Sequence, residues 1–101
     1  MRYVLHKVVI KSFKDRATEA LFRGDTPAKH LRPIAKAARR KLDMIDYAET
    51  LGDLRVPPAN RLEALKGDRR GQHSIRINDQ WRICFVWRSD GAYDVEIVDY
   101  H

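Results

Sequence analysis

Asp99, Tyr100 and His101 stand side by side at the end of the sequence and put a carboxylate, a phenol and an imidazole at one place. Each can take up or release a proton. Arg61, Lys66, Arg69, Arg70, Arg76 and Arg82 come shortly before them and bring fixed positive charge. Proton shuttles beside fixed cations are what cleavage of a phosphodiester requires in the absence of a metal. One group must draw a proton from a ribose 2′-OH, another must hold the extra negative charge of the phosphorane, and a third must protonate the departing 5′-oxygen. A positioned proton donor or acceptor contributes about 10²–10⁴-fold to such a step, and donors aimed at the developing charge contribute comparably. His101 suits the acid, because Asp99 and a terminal carboxylate both favour its imidazolium. Tyr100 is able to exchange a proton or stack on a base. Lys66 and Arg82 are the expected charge stabilisers, arginine gripping phosphate through two parallel bonds. Arg61, Arg69, Arg70 and Arg76 are expected to hold RNA.

Plainer readings stand beside these. A terminal Asp-Tyr-His is also what a solvated chain end looks like. Arg69 and Arg70, set between Gly67 and Gly71, equally suit a soluble hairpin, and Arg82 has Glu96 as an alternative structural partner. His6, His30 and His73 are scattered without metal-ligand spacing, so no metal site is expected. Cys84 is the only cysteine, which excludes an internal disulfide and a Cys-rich zinc site. Lying between Ile83 and Phe85, it reads as an inert sheet residue.

At 101 residues the chain has room for one domain, expected to span 1–101. Hydrophobic residues make up 44% and charged residues 34%, the latter well above the roughly 25% usual for soluble proteins. A formal net charge of +6 points to a nucleic acid or acidic protein as partner. No run approaches the roughly 18 apolar residues of a membrane span. Met1 to Ile10 has basic residues within its apolar stretch and no small-residue cleavage pattern, so a cytoplasmic protein is expected.

These groups need elements to position them. Val4 to Phe13 is rich in β-branched residues and is expected to form a strand. Asp15 through Phe22 has helical spacing, with Gly24 to end it. Thr26-Pro27 offers a cap for a longer helix running to Ala48, bent or restarted at Pro33, whose apolar stripe is Leu31, Ile34, Ala38, Leu42 and Ile45. Between Lys29 and Lys41 there are seven basic residues and no acid, which suits a solvated face or a docking surface for RNA. A short turn is expected near Leu51 and Leu54, then an irregular connector from Val56 to Asn60. The period then changes: Leu62–Leu65, Gln72–Ile77, Trp81–Trp87 and Tyr93–Tyr100 read as strands, with turns at Gly67-Asp68, Asn78-Asp79 and Asp90-Gly91. The expected fold is α+β, a small and mainly antiparallel sheet with two N-terminal helices packed on one face.

Strand parity assigns faces. Trp81, Ile83, Phe85 and Trp87 should face the helices, with Tyr93, Val95 and Ile97 beside them. Arg76, Arg82, Cys84, Glu96 and Tyr100 should lie on the uncovered face. Asp99 and His101 should point to the core side unless the strand twists or ends there.

Several blocks resemble one known group. Val9-Ile10-Lys11-Ser12-Phe13-Lys14-Asp15, Asn60 through Arg69, Ser74 through Phe85 and the closing Val98-Asp99-Tyr100-His101 are similar, at these spacings, to HigB toxins of the RelE/ParE superfamily. The likeness covers nearly the whole chain from about residue 8. It implies a RelE-like toxin of a bacterial type II toxin–antitoxin pair, a metal-independent and cofactor-free endoribonuclease that cuts messenger RNA at the ribosomal decoding site. A HigA-like helix-turn-helix antitoxin would silence it and carry any contact with operator DNA. The resemblance places catalytic roles on Asp99, Tyr100, His101, Arg82 and Lys66. Some members carry a catalytic histidine where this chain has Glu63. A carboxylate can act as base there, but it repels phosphate unless Lys66 or Arg61 offsets it. The alternative is a non-catalytic protein that plugs a ribosomal or nucleic-acid site, or represses its own operon together with its antitoxin.

Overall fold

Asp15 opens the first helix. Its carboxylate accepts from the Thr18 backbone N–H at 2.7 Å and from the Thr18 hydroxyl at 3.1 Å, satisfying a donor that the first turn leaves open. The helix, α1 (Arg16–Arg23), stops at Gly24, whose φ of 85° suits a residue without a side chain. The structure, a computed structural model, describes residues 9–100.

Thr26-Pro27 does not cap the next helix. The chain first makes a 3-10 turn at Lys29–Ile34, preceded by Ala28 with no side-chain cap, and Pro33 lies inside it. Proline has no N–H to give an α-helical ladder, so regular helix, α2 (Ala35–Tyr47), begins only after it. The expected stripe is nonetheless correct: Leu31, Ile34, Ala38, Leu42 and Ile45 are all buried. Short 3-10 turns follow at Leu51–Arg55 and Pro58–Asn60, the first closed by a reciprocal box between Thr50 and Asp53.

The four strands are β1 (Glu63–Ala64), β2 (His73–Arg76), β3 (Trp81–Arg88) and β4 (Gly91–Asp99), hydrogen-bonded in chain order and all antiparallel. The first is shorter than expected, because the chain leaves the sheet into a further 3-10 turn at Gly67–Arg69. Ile75, Ile83, Phe85 and Val95 meet the helical stripe in one core, as an α+β domain with helices on one face requires.

The register between β3 and β4 shifts once. Cys84 faces Glu96 and Val86 faces Tyr93, so Asp94 and Val95 together stand against Phe85, and Asp94 takes a φ of 53°. This bulge reverses parity. Ala92 turns into the core, fully buried, while Tyr93 goes to the opposite face, where its hydroxyl donates to Asp90 at 2.7 Å. The expectation that Tyr93 shares a face with Val95 is therefore corrected.

Beside β4 runs the N-terminal segment. The Val9 carbonyl accepts from Ala92 N–H at 2.8 Å, and the Lys11 N–H donates to the Ala92 carbonyl at 2.7 Å. Ile10 and Phe13 make isolated parallel bridges to Ala92 and Val95 rather than a continuous strand. The strand expected over Val4–Phe13 thus shrinks, within the described residues, to these bridges; its first part lies outside them. From the helix layer the Asp46 carboxylate accepts the Val9 and Ile10 N–H groups at 3.2 and 3.0 Å. Those donors would otherwise be buried without partners.

Candidate active site

Arg82, in the middle of the sheet, is the fixed point of the site. β3 carries it on the face away from the helices, and its register partner Arg76 lies on β2. The expected side is right, but the face is not bare. Arg82 is buried, its Nε–H donating to Ser74 Oγ at 2.7 Å and its Nη2 to the Ser74 and Arg61 carbonyls at 3.3 and 2.7 Å. A guanidinium presents five N–H donors in a rigid fork, and anchoring one edge on backbone and hydroxyl oxygens sets where the other edge points.

Two side chains stand against that fork. Glu63, from β1, puts Oε1 3.6 Å from Arg82 Nη2 while staying mostly in solvent. Tyr100, just past β4, lies with its ring centre 5.8 Å from the Arg82 guanidinium carbon. Its backbone N–H donates to the Gln80 carbonyl, and its hydroxyl is 4.0 Å from Cys84 Sγ. Burial and the Cys84 thiol push the Tyr100 pKa above the ordinary tyrosine value. Burial likewise raises the thiol of Cys84, which agrees with an inert thiol.

Arg82 does not pair with Glu96. Arg69 does, at 3.2 Å, and the same Arg69 nitrogen donates to Gln72 at 3.0 Å. Burial opposes the Arg69 charge, but the Glu96 hydrogen bond and the nearby Cys84 and Glu96 outweigh it, and its pKa rises. The 3-10 turn from Gly67 swings Arg69 across the sheet to β4, so it is not a free hairpin cation. Lys66, Arg61 and Arg70 are exposed at the rim. Arg76 turns to Asp79 in the β2–β3 turn and forms an ion pair there. Asp99 stands opposite Trp81, its Oδ2 accepting from Gln80 Nε2 at 3.1 Å, on the core-side parity expected of it. His101 lies outside the described residues.

Of the expected site residues, Arg82 and Tyr100 come together, with Arg69 beside them through Glu96. Asp99 and Arg76 face other partners. Glu63, left outside the main set on sequence grounds, is brought against Arg82. So are Ser74 and the Arg61 carbonyl, for which the sequence signal was thin: a polar residue in an apolar strand, and a backbone atom no side-chain motif identifies. Among the described residues, no group of three His, Cys, Asp or Glu side chains is placed to hold a metal ion. No helix among them is long and apolar enough to cross a membrane.

The chain is similar to known proteins over most of its length. Residues 11–101 match the model of a family described as the RelE-like toxin of the type II toxin–antitoxin system HigB. Toxin HigB-1 of Vibrio cholerae is 41% identical over 76 residues, 74% of this chain and 80% of that protein. Endoribonuclease HigB of Proteus vulgaris is 36% identical over 94 residues, 92% of this chain and 100% of that protein. Among solved structures, the YoeB-YefM complex from Staphylococcus aureus superposes with a TM-score of 0.54 at 21% identity, covering 93% of this chain and 97% of that one. That last likeness supports the fold alone. With a sheet arginine held against a tyrosine and a carboxylate, and with relatives matched over most of their length, this chain belongs to the HigB-like family of RelE-like toxins of type II toxin–antitoxin systems.

Proposed function

We propose that this toxin is a ribosome-dependent messenger-RNA endonuclease that works without a metal or other cofactor in the cytoplasm, and that a HigA-like antitoxin neutralises it. The observation that carries this reading is the Arg82 fork, anchored on Ser74 and Arg61 and facing Glu63 and Tyr100. In the proposed reaction Glu63 takes the proton of a ribose 2′-OH. The 2′-oxygen attacks phosphorus, the bond from phosphorus to the 5′-oxygen breaks, and a 2′,3′-cyclic phosphate and a 5′-hydroxyl end result. Arg82 and Lys66 hold the charge that builds on the phosphorane. Tyr100, a phenol protonated at neutral pH as any ordinary tyrosine is and held more firmly so by burial, donates to a phosphate oxygen. His101, with Asp99 two residues before it, gives the proton to the leaving 5′-oxygen. Arg61 and Arg70, exposed at the rim, supply the surrounding positive potential that draws in the message, with Arg69 and Arg76 contributing less because Glu96 and Asp79 offset their charges. Operator DNA is reached only through the antitoxin, whose acids would match the excess positive charge.

Primer extension on a translated message tests this. Wild-type protein should yield new 5′ ends, and Tyr100→Phe should slow their appearance. Glu63→Gln, which leaves no carboxylate to accept the 2′-hydroxyl proton, should lower the rate by about 10²-fold. No cuts from the wild type, or undiminished cuts from both variants, would defeat the assignment. The exposed Lys29, Arg32, Lys36, Arg39 and Arg40 favour a second, non-catalytic reading, docking by charge. Growth inhibition that survives removal of Tyr100 and His101, together with ribosome or RNA binding that weakens steeply with salt, would select it.

A further inference from the structure

Lys41 is a buried lysine that the proposed chemistry does not use. It sits in the middle of α2, only 8% exposed, and its Nζ donates to Asn60 Oδ1 at 2.6 Å. Among the described residues no carboxylate pairs with it. Burial, Arg40 and Arg76 all work against its charge and lower its pKa. Its folded-state pKa is thus below the unfolded value, so keeping the proton opposes folding at neutral pH, and that opposition fades as pH rises through the folded pKa. An apolar side chain of similar length would fill the space without this burden, but would leave the buried Asn60 Oδ1 without its donor. The ammonium therefore does something that packing alone does not.

Its partner shows what. Asn60 is fully buried, and its Nδ2 donates to the Leu54 and Val56 carbonyls at 3.2 and 3.4 Å. Those two bonds brace the connector between the helix layer and β1, while Oδ1 and an Nδ2 contact to Met44 Sδ at 3.7 Å tie the same side chain to α2. The next residue, Arg61, takes a left-handed φ of 47°, and this turn delivers its carbonyl to Arg82 Nη2 at 2.7 Å. An unbroken path of short contacts and one peptide unit runs from α2 through Asn60 to the arginine fork.

We infer that Lys41 is a positioning residue for Arg82, its ammonium locking Asn60 so that the Arg61 carbonyl holds the guanidinium at the angle that meets a phosphate. This rests on the phosphate-gripping role proposed for Arg82 and adds to it a device in the helix layer. The geometry also explains why a lysine serves. Its stem spans from the helix to the connector along the core, and its head supplies a donor that Asn60 Oδ1 needs.

The test reads Arg82 directly. Its Nε–H, buried against Ser74, gives a side-chain ¹⁵N resonance that Arg82→Lys identifies by its disappearance. In Lys41→Met this resonance should shift or broaden, and the rate of cleavage on translated message should fall by about 10–100-fold with half-saturation by ribosomes unchanged. Lys41→Arg, which keeps a displaced donor, should give smaller changes of the same kind and serves if the methionine variant does not fold. If Lys41 were purely structural, replacing it would change the melting temperature in either direction while leaving the Arg82 resonance and the rate at saturation as in wild type; that result overturns the inference. Absence of cleavage by the wild type would sink the nuclease reading instead. In that case the resonance still reports whether Lys41 sets Arg82, and an unmoved signal in both variants refutes it.

Discussion

Arg82→Gln is expected to lower the rate of message cleavage by about 10²–10³-fold, the range seen when a donor aimed at developing charge is removed. The side chain has two roles that must be separated. It anchors on Ser74 and on the Arg61 carbonyl, and it offers its remaining donors to a phosphate. Glutamine fills part of the volume but cannot reach both anchors, so buried oxygens lose partners at about 1–3 kcal/mol. A domain of ordinary stability has about 5–15 kcal/mol in hand, so the variant should remain folded at assay temperature. Its thermal melt, run beside primer extension, separates the two effects. The charge on Glu63 sharpens the expectation. Without Arg82 at 3.6 Å, that carboxylate faces incoming phosphate with less compensation. A folded Arg82→Gln protein that cleaves within threefold of wild type would remove Arg82 from the chemistry.

Gly91→Ala should produce the largest loss of stability. Gly91 has a φ of 146°, which a residue with a side chain rarely adopts. A Cβ there would lie 2.1 Å from the Val9 carbonyl oxygen, an atom fixed by its own hydrogen bond to Ala92. Backbone strain of this kind costs about 1–3 kcal/mol, and displacement of the Val9 segment forfeits hydrogen bonds worth about 1 kcal/mol each. A loss of about 3 kcal/mol is expected. At roughly 4–8 °C per kcal/mol for a domain near this size, the melting temperature should fall by about 12–24 °C. A fall of under about 4 °C would mean that the close approach of residues 9–11 to the β3–β4 hairpin does little for the fold.

Local patterning carried a good deal of this. The spacing of Leu31, Ile34, Ala38, Leu42 and Ile45 identified the buried helical face, because a 3.6-residue period has one physical reading when the other positions are charged. Alternation in β3 put Arg82 and Cys84 opposite Ile83 and Phe85, which a strand's two-residue period enforces. Asp99 and Tyr100 were assigned to opposite faces on the same ground. The failures share a cause. Tyr93 changed face because one bulge at Asp94 moved the register, and a bulge depends on what the partner strand presents. Thr26-Pro27 looked like a helix start, yet Pro33 delayed the regular helix to Ala35.

What the amino-acid order determined unaided was therefore periodic: the helical stripe, the alternation of the strands, the turn residues between them and the side of the sheet on which Arg82 and Tyr100 lie. The partners of the charged groups were decided only by the tertiary fold. Arg69 took Glu96, Arg82 took Ser74, the Arg61 carbonyl and Glu63, and Lys41 took Asn60, each across a gap in sequence that no period spans. A side chain's face follows from backbone geometry a few residues long. Its hydrogen-bond partner is whichever group the packed layers bring within about 3 Å, and that is set by the whole chain at once.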